Sequence, residues 1–312
     1  MTTKTRPSPS DKPINPTSYF HLGVVYIVWG STYLAIRVAV REGSGFPPFT
    51  MGLMRAFAAG GILLLWAWVR KKRIRPTKAE WVTLIGSGLL LWTMANGLVM
   101  WAEQRADSSL TALLVAAMPI WTVIIEATID RRMPSARLVA SLLVGFSGIG
   151  LLAAPSLMTG VRADLLSTIA LIFAPLCWAI GSVLQARRPV SLDPRVSSSY
   201  QILVGGSGFL FLALLLKEPF PTPNSEAWLA WGYLVTFGSL LGYTSFVTVL
   251  GLLPMNVVMT YGYVNPVIAV ILGWLILREE ITLWTVGGSV LVLLGVAGVF
   301  RDRYGKGDKQ TS

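Results

Sequence analysis

Runs of about twenty apolar residues follow one another with little interruption from Tyr19 to Phe300, and that pattern leaves few folds open. At 1.5 Å of rise per residue, a helix of about 20 residues crosses roughly 30 Å of hydrocarbon. A β-barrel would show segments of about 10 residues with alternating polarity instead. Of the 312 residues, 54% are hydrophobic and 13% charged, against about 25% charged in soluble domains. So few charges cannot clothe a soluble globule of this size. The sequence predicts an all-α integral membrane protein with ten transmembrane helices.

The spans fall near 19–40, 49–69, 81–101, 108–129, 137–154, 166–185, 197–216, 228–250, 256–277 and 284–300, with turn formers such as Pro47-Pro48, Pro76, Pro134, Pro194 and Pro219-Phe220-Pro221 between them. Residues 1–18 read as a disordered cytoplasmic tail and 301–312 as a second cytoplasmic tail. The net charge of +11 is unevenly distributed. With the N-terminus in the cytoplasm, 19 of the 26 Lys and Arg lie on that side, five lie opposite (Arg41, Arg105, Arg162, Lys217 and Arg278), and Arg37 and Arg55 lie within helices. This positive-inside pattern sets both termini in the cytoplasm. The basic excess is thus a topology signal that also meets anionic lipid, and no nucleic-acid partner is expected.

Several chemistries lack their residues. Cys177 is the only cysteine and His21 the only histidine, so metal sites and Ser-His-Asp catalysis have little to draw on. No GxxxxGK[ST] loop is present, so the chain holds no ATP motor. No cofactor, no metal and no enzymatic activity are expected. The partners expected are a small-molecule substrate and the lipid bilayer, with the chain as monomer or homodimer.

A shift of 147–149 residues aligns the chain partly with itself: Trp29 falls on Trp178, Pro119 on Pro266, Arg131 on Arg278, and Gly148 on Gly295. The halves, 19–154 and 166–300, hold five helices each. Five is odd, so the second half enters the membrane from the opposite side, the form of an inverted repeat in secondary transporters.

Trp29-Gly30-Ser31 stands in the first helix, Pro47-Pro48 before the second and Arg55 within it. Ser108-Ser109-Leu110-Thr111-Ala112 leads to Pro119, and Asn265-Pro266 is followed by Leu277-Arg278-Glu279-Glu280, Gly287 and Gly295. In these residues, over about 20–300, the chain resembles the drug/metabolite transporter superfamily, in particular the EamA-type ten-helix exporters. It departs from them after the fourth helix, where Asp130-Arg131-Arg132 replaces a common Gly-Glu pair. The resemblance implies export of small metabolites, including amino acids, by alternating access across a bacterial inner membrane. Aromatic amino-acid exporters are the nearest relatives it suggests.

A transport cavity needs an apolar or aromatic lining with a few polar groups to orient the solute. Trp29, Tyr33, Trp92, Asn96, Trp178, Ser182, Gln201, Tyr243, Tyr261 and Asn265 are the candidates, with Arg55 for a substrate carboxylate. Tyr19, Trp66, Trp68, Trp81 and Trp284, near helix ends, fit an interfacial belt. For the mid-span aromatics helix packing stays open beside cavity lining, and Asn96 and Asn265 either line the cavity or bond a neighbouring helix. Pro119 and Pro266, at matched positions, are candidate hinges or static bends. Arg55 is expected to meet Glu42, Glu103, Asp107 or a substrate, and Glu126 to meet Arg70, Lys71 or Arg131. No carboxylate falls convincingly at the midplane, so a facilitator or weakly coupled antiporter is expected. Two alternatives remain: a multidrug or lipophilic-cation exporter, and a membrane-embedded lipid-modifying enzyme.

Overall fold

In a computed structural model of the chain, residues 16–106, 108–158, 165–272, 274–275 and 281–304 are described. They form ten helices long and apolar enough to span a membrane: α1 (Pro16–Val40), α2 (Pro48–Val69), α3 (Lys78–Ala102), α4 (Leu113–Asp130), α5 (Ala136–Pro155), α6 (Leu165–Arg187), α7 (Pro194–Leu215), α8 (Ser225–Leu252), α9 (Met255–Leu272) and α10 (Leu283–Asp302). No strand occurs among the described residues. Most of both expected tails, and the Leu277-Arg278-Glu279-Glu280 motif, lie outside the described residues; helix continues to Tyr304, past the expected boundary at 301.

Large apolar side chains such as Leu34, Leu65, Leu166, Phe211, Leu214 and Leu294 point outward and exposed along the helices. An outer surface of this kind fits lipid and no aqueous setting. The chain is a multi-pass membrane protein.

The packing repeats itself. Helix α1 lies against α9 and α8, as α6 lies against α4 and α3, while α2 pairs with α7 and α5 with α10. Individual contacts recur in mirror order. A Cβ on Gly148 would meet the Gly288 carbonyl and the Val292 nitrogen at 2.7 Å, and one on Gly295 would meet the Ser141 carbonyl at 2.7 Å and the Gly145 nitrogen at 2.6 Å. These are the same contacts moved by 147 positions. Only glycine permits such close backbones, the small-residue packing that membrane helices favour. Across α2 and α7, Gly60 abuts Leu203 as Gly206 abuts Phe57, with a spacing of 146. Helices of equal rank thus meet their own counterparts along a pseudo-two-fold axis.

The helix ends tie the halves together. Glu218, in the α7–α8 loop, accepts from the Phe49 and Thr50 backbone nitrogens (2.9 and 2.6 Å) and the Thr50 hydroxyl (2.7 Å). It therefore satisfies first-turn donors of α2 with negative charge at the positive end of the helix. At the other end, Thr77 and Glu80 form a capping box on α3. Glu80 also accepts from the Ser191 nitrogen at 3.0 Å and the Ser191 hydroxyl at 2.8 Å, joining the α2–α3 and α6–α7 loops. Glu126 was expected to pair with Arg70, Lys71 or Arg131. It lies instead 3.9 Å from Arg187, which forks onto Asp130 through two contacts of 2.7 Å. The α4 and α6 helices pack together and bring their ends side by side, which spacing along the chain did not reveal.

Candidate functional site

Seven helices, all but α5, α7 and α10, enclose a cavity of about 90 Å³. At roughly 10–15 Å³ per water, that is room for on the order of six to nine waters. Drug-sized clefts run to about 300–1,000 Å³. Trp29, Tyr33, Arg55, Trp92, Asn96, Trp178, Tyr243, Tyr261 and Asn265 all line it, joined by Thr32, Val99, Met118, Pro175 and Gly238.

Its apolar wall is a single aromatic cluster. Trp29 and Trp178, at matching positions in the two halves, meet edge to face across the axis with centroids 5.4 Å apart and planes at 83°. Phe246, fully buried, touches Trp29, Trp178, Tyr243 and Tyr261 at centroid distances of 5.1–6.0 Å. Trp92 lies edge-on to Tyr243 at 5.2 Å. Such edge-to-face geometry sets the positive ring edge against the negative face. Helix α8 makes room for the large rings with two glycines. The Trp29 indole nitrogen donates to the Gly238 carbonyl at 3.1 Å, and a Cβ on Gly242 would stand 2.6 Å from that nitrogen. Gly238, Gly242 and Phe246 escaped the sequence reading. The small-xxx-small spacing of the two glycines was their one visible signal.

Arg55 is the cavity's charged group and is 5% exposed. The expected partners do not hold it. Its Nε donates to the Ser239 hydroxyl at 2.8 Å and its Cζ lies 5.1 Å from the centre of the Trp92 ring. The correction has a geometric cause: α2 packs against α8, so the side chain crosses to Ser239 instead of running outward to Glu42 or Glu103. Asp107 lies outside the described residues. A Cβ on Gly238 would sit 3.1 Å from Nη2, so this glycine also clears space for the guanidinium. Both terminal nitrogens lack a hydrogen-bond partner among the described residues, which leaves them to donate to a carboxylate bidentately.

Both halves widen their third helix at the cavity. Helix α3 is π-helical over Leu89–Asn96 and α8 over Leu234–Tyr243. Such turns recur at functional sites. Trp92 and Asn96 in one correspond to Ser239 and Tyr243 in the other, 147 positions on. The side chains brace the wide turns: Asn96 donates to the Leu91 carbonyl at 2.8 Å, and the Ser239 hydroxyl donates to the Leu234 carbonyl at 3.1 Å, each reaching back five residues.

Two candidates lie away from the cavity. The Ser182 hydroxyl donates to the Trp178 carbonyl at 2.7 Å. Gln201 is buried in a polar cluster, donating to the Ser87 hydroxyl at 2.6 Å and to Gln185 while accepting from the Tyr243 hydroxyl at 3.0 Å. It reaches the cavity only through Tyr243. Asn265, with its amide nitrogen turned toward them, donates to the Tyr261 and Tyr26 carbonyls at 3.0 and 3.1 Å and so fastens α9 to α1. The prolines differ from one another. A turn at 116–117 breaks the helix just before Pro119, whereas in α9 the turn falls at 259–260 and Pro266 stands inside continuous helix.

Just beyond the end of α3, Glu103 is 5% exposed, and both its oxygens are buried without a hydrogen-bond partner. Burial pushes its carboxyl up to about 8, opposed by the Arg37 charge. Among the described residues no group of three or more His, Cys, Asp or Glu side chains gathers to hold a metal.

The model of the EamA-like transporter family matches the chain twice, over residues 18–154 and 165–301. Over 256 residues the chain is 29% identical to the uncharacterized inner membrane transporter YedA of Escherichia coli (strain K12), covering 81% of this chain and 80% of that one. It is 25% identical over 284 residues to the uncharacterized transporter YoaV of Bacillus subtilis (strain 168), with 88% and 94% covered. It is 26% identical over 280 residues to the protein PecM of Dickeya dadantii (strain 3937), with 88% and 86% covered. A solved crystal structure shares the fold at 18% identity, with a TM-score of 0.73 over 91% of this chain and 96% of that one.

Proposed function

Since the chain belongs to the EamA-like transporter family, we propose that it exports small amphipathic amino acids by alternating access, holding the solute carboxylate on Arg55 and its side chain against the aromatic cluster. One observation carries the reading: a buried guanidinium faces the cavity with its two terminal nitrogens unengaged and no carboxylate beside it among the described lining. An isolated buried charge is costly, and a solute that supplies the counter-charge offsets that cost whenever it binds. The small cavity favours a compact solute in this state.

The same charge disfavours a lipophilic-cation exporter, which needs an acid where Arg55 stands. A lipid-modifying enzyme needs acid–base groups converging on one point, and the described lining offers one arginine and three tyrosines. Both termini are assigned to the cytoplasm on the distribution of basic residues. The test is efflux from liposomes holding the purified chain and labelled threonine, phenylalanine, lysine or a lipophilic cation. Export of the neutral amino acids supports the reading; export of the cation alone reverses it, and no flux of any solute ends it.

A further inference from the structure

The facilitator or weakly coupled antiporter expected from the sequence rested on the lack of a carboxylate at the midplane; Glu103, just past the end of α3, is a buried carboxylate one turn from the cavity lining. It follows Val99 by one turn, its nitrogen donating to the Val99 carbonyl at 2.9 Å, and Val99 lines the cavity with Asn96 and Trp92. On its other side Trp101, Gln104 and Arg105 border an outer vestibule of about 700 Å³. Glu103 itself lines neither space; it is buried between chain neighbours that line the solute cavity on one side and the wide mouth on the other.

Among the described residues no charged side chain forms an ion pair or hydrogen bond with it. From α1, Tyr33 and Arg37 face it, the arginine close enough to act through its field but forming no ion pair. From α2, Arg55 turns its Nε to Ser239 and forms no ion pair with Glu103 among the described residues. The nearby half of α6, 165–175, carries no titratable side chain. On its own segment, Arg105 stacks over Trp101 with Cζ 5.4 Å from the ring centre. A carboxylate with two buried and unpartnered oxygens is far more stable as the neutral acid.

We propose that Glu103 is the proton-binding group of this transporter, taking a proton from water in the outer vestibule and releasing it to water on the opposite side, so that solute export is coupled to proton entry. The proposal rests on the transport reading above. No bond other than O–H forms or breaks, and the proton that enters on one side leaves on the other. Arg37 is the group whose closer approach would expel it. With a folded-state value raised above that of a free carboxyl, the proton is held at neutral pH and lost as pH rises through about 8.

Two measurements on the full chain in lipid nanodiscs and liposomes decide this. Infrared titration is expected to show a protonated-carboxyl band at neutral pH that fades in alkali and is missing in E103Q. A wild-type spectrum without that band, or a band unchanged in E103Q, overturns the proposal. In liposomes containing a pH dye, an outward gradient of threonine or phenylalanine is expected to move protons the other way. E103Q is expected to lose the proton signal while keeping solute–solute exchange. Solute flux that moves no protons, or proton coupling that survives in E103Q, overturns the proposal alone. Absence of any flux instead sinks the transport reading on which it rests.

Discussion

Replacing Arg55 with glutamine removes the positive charge while keeping a polar side chain beside Ser239. The Ser239 hydroxyl still has the Leu234 carbonyl to bond, and removing a buried charge relieves a desolvation cost, so R55Q is expected to assemble. What it loses is the fork toward the cavity. Hydrogen bonds to a charged group contribute about 1.5–3 kcal/mol each. At 1.4 kcal/mol per factor of ten, losing even one bond of the fork weakens carboxylate binding by roughly 10- to 150-fold, which is the least loss expected. The assay is half-saturating concentration for efflux, measured for an amino acid and for its methyl ester, which keeps the side chain and lacks the anion. The zwitterion is expected to weaken by at least that factor and the ester to change little. Equal losses for both would show that Arg55 supports the fold rather than the solute, and unchanged values for both would remove it from the site.

Other substitutions test the cavity wall and the axis. G242A puts a methyl 2.6 Å from the Trp29 indole nitrogen, so altered tryptophan fluorescence and reduced efflux are expected without loss of assembly. F246A empties the centre of the aromatic cluster. Such truncations cost about 3–5 kcal/mol in soluble cores, and their packing component persists in lipid, so a lower unfolding temperature in detergent is expected. G295L drives a side chain into Gly145 and is expected to abolish a monodisperse species on size exclusion. G150L, where a Cβ meets nothing within 4 Å, is expected to leave it intact.

The architecture was legible because lipid imposes it. Each helix must satisfy its own backbone over a fixed thickness, so length and apolarity alone mark out α1 through α10, and the odd number in each half makes the repeat inverted. The cavity was legible through mid-span Trp29, Trp92, Trp178 and Tyr243, which no interfacial role explains and which the structure brings to one wall. What stayed hidden depends on contacts between distant segments. Arg55 bonds Ser239, 184 residues away, and periodicity says nothing of that. Glu103 stood out in the sequence only as an expected partner of Arg55; that both its oxygens are buried without a partner is a product of tertiary packing, which no local pattern reports. The π turns were invisible for another reason: one residue of slippage in hydrogen-bond register leaves composition unchanged.

If the two halves exchange conformations in transport, then the two-fold axis through α2–α7 and α5–α10 has a thermodynamic consequence. A perfectly symmetric chain would have outward-open and inward-open forms of identical free energy, since each would be the other turned over. Any resting preference between the two forms must then originate where the copies disagree. Arg55 faces Gln201 in the alignment, Trp92 faces Ser239, Asn96 faces Tyr243 and Glu103 faces Leu250. At those four pairs one copy carries a charge, an indole or an amide that the other lacks, and such differences set the two forms apart in energy.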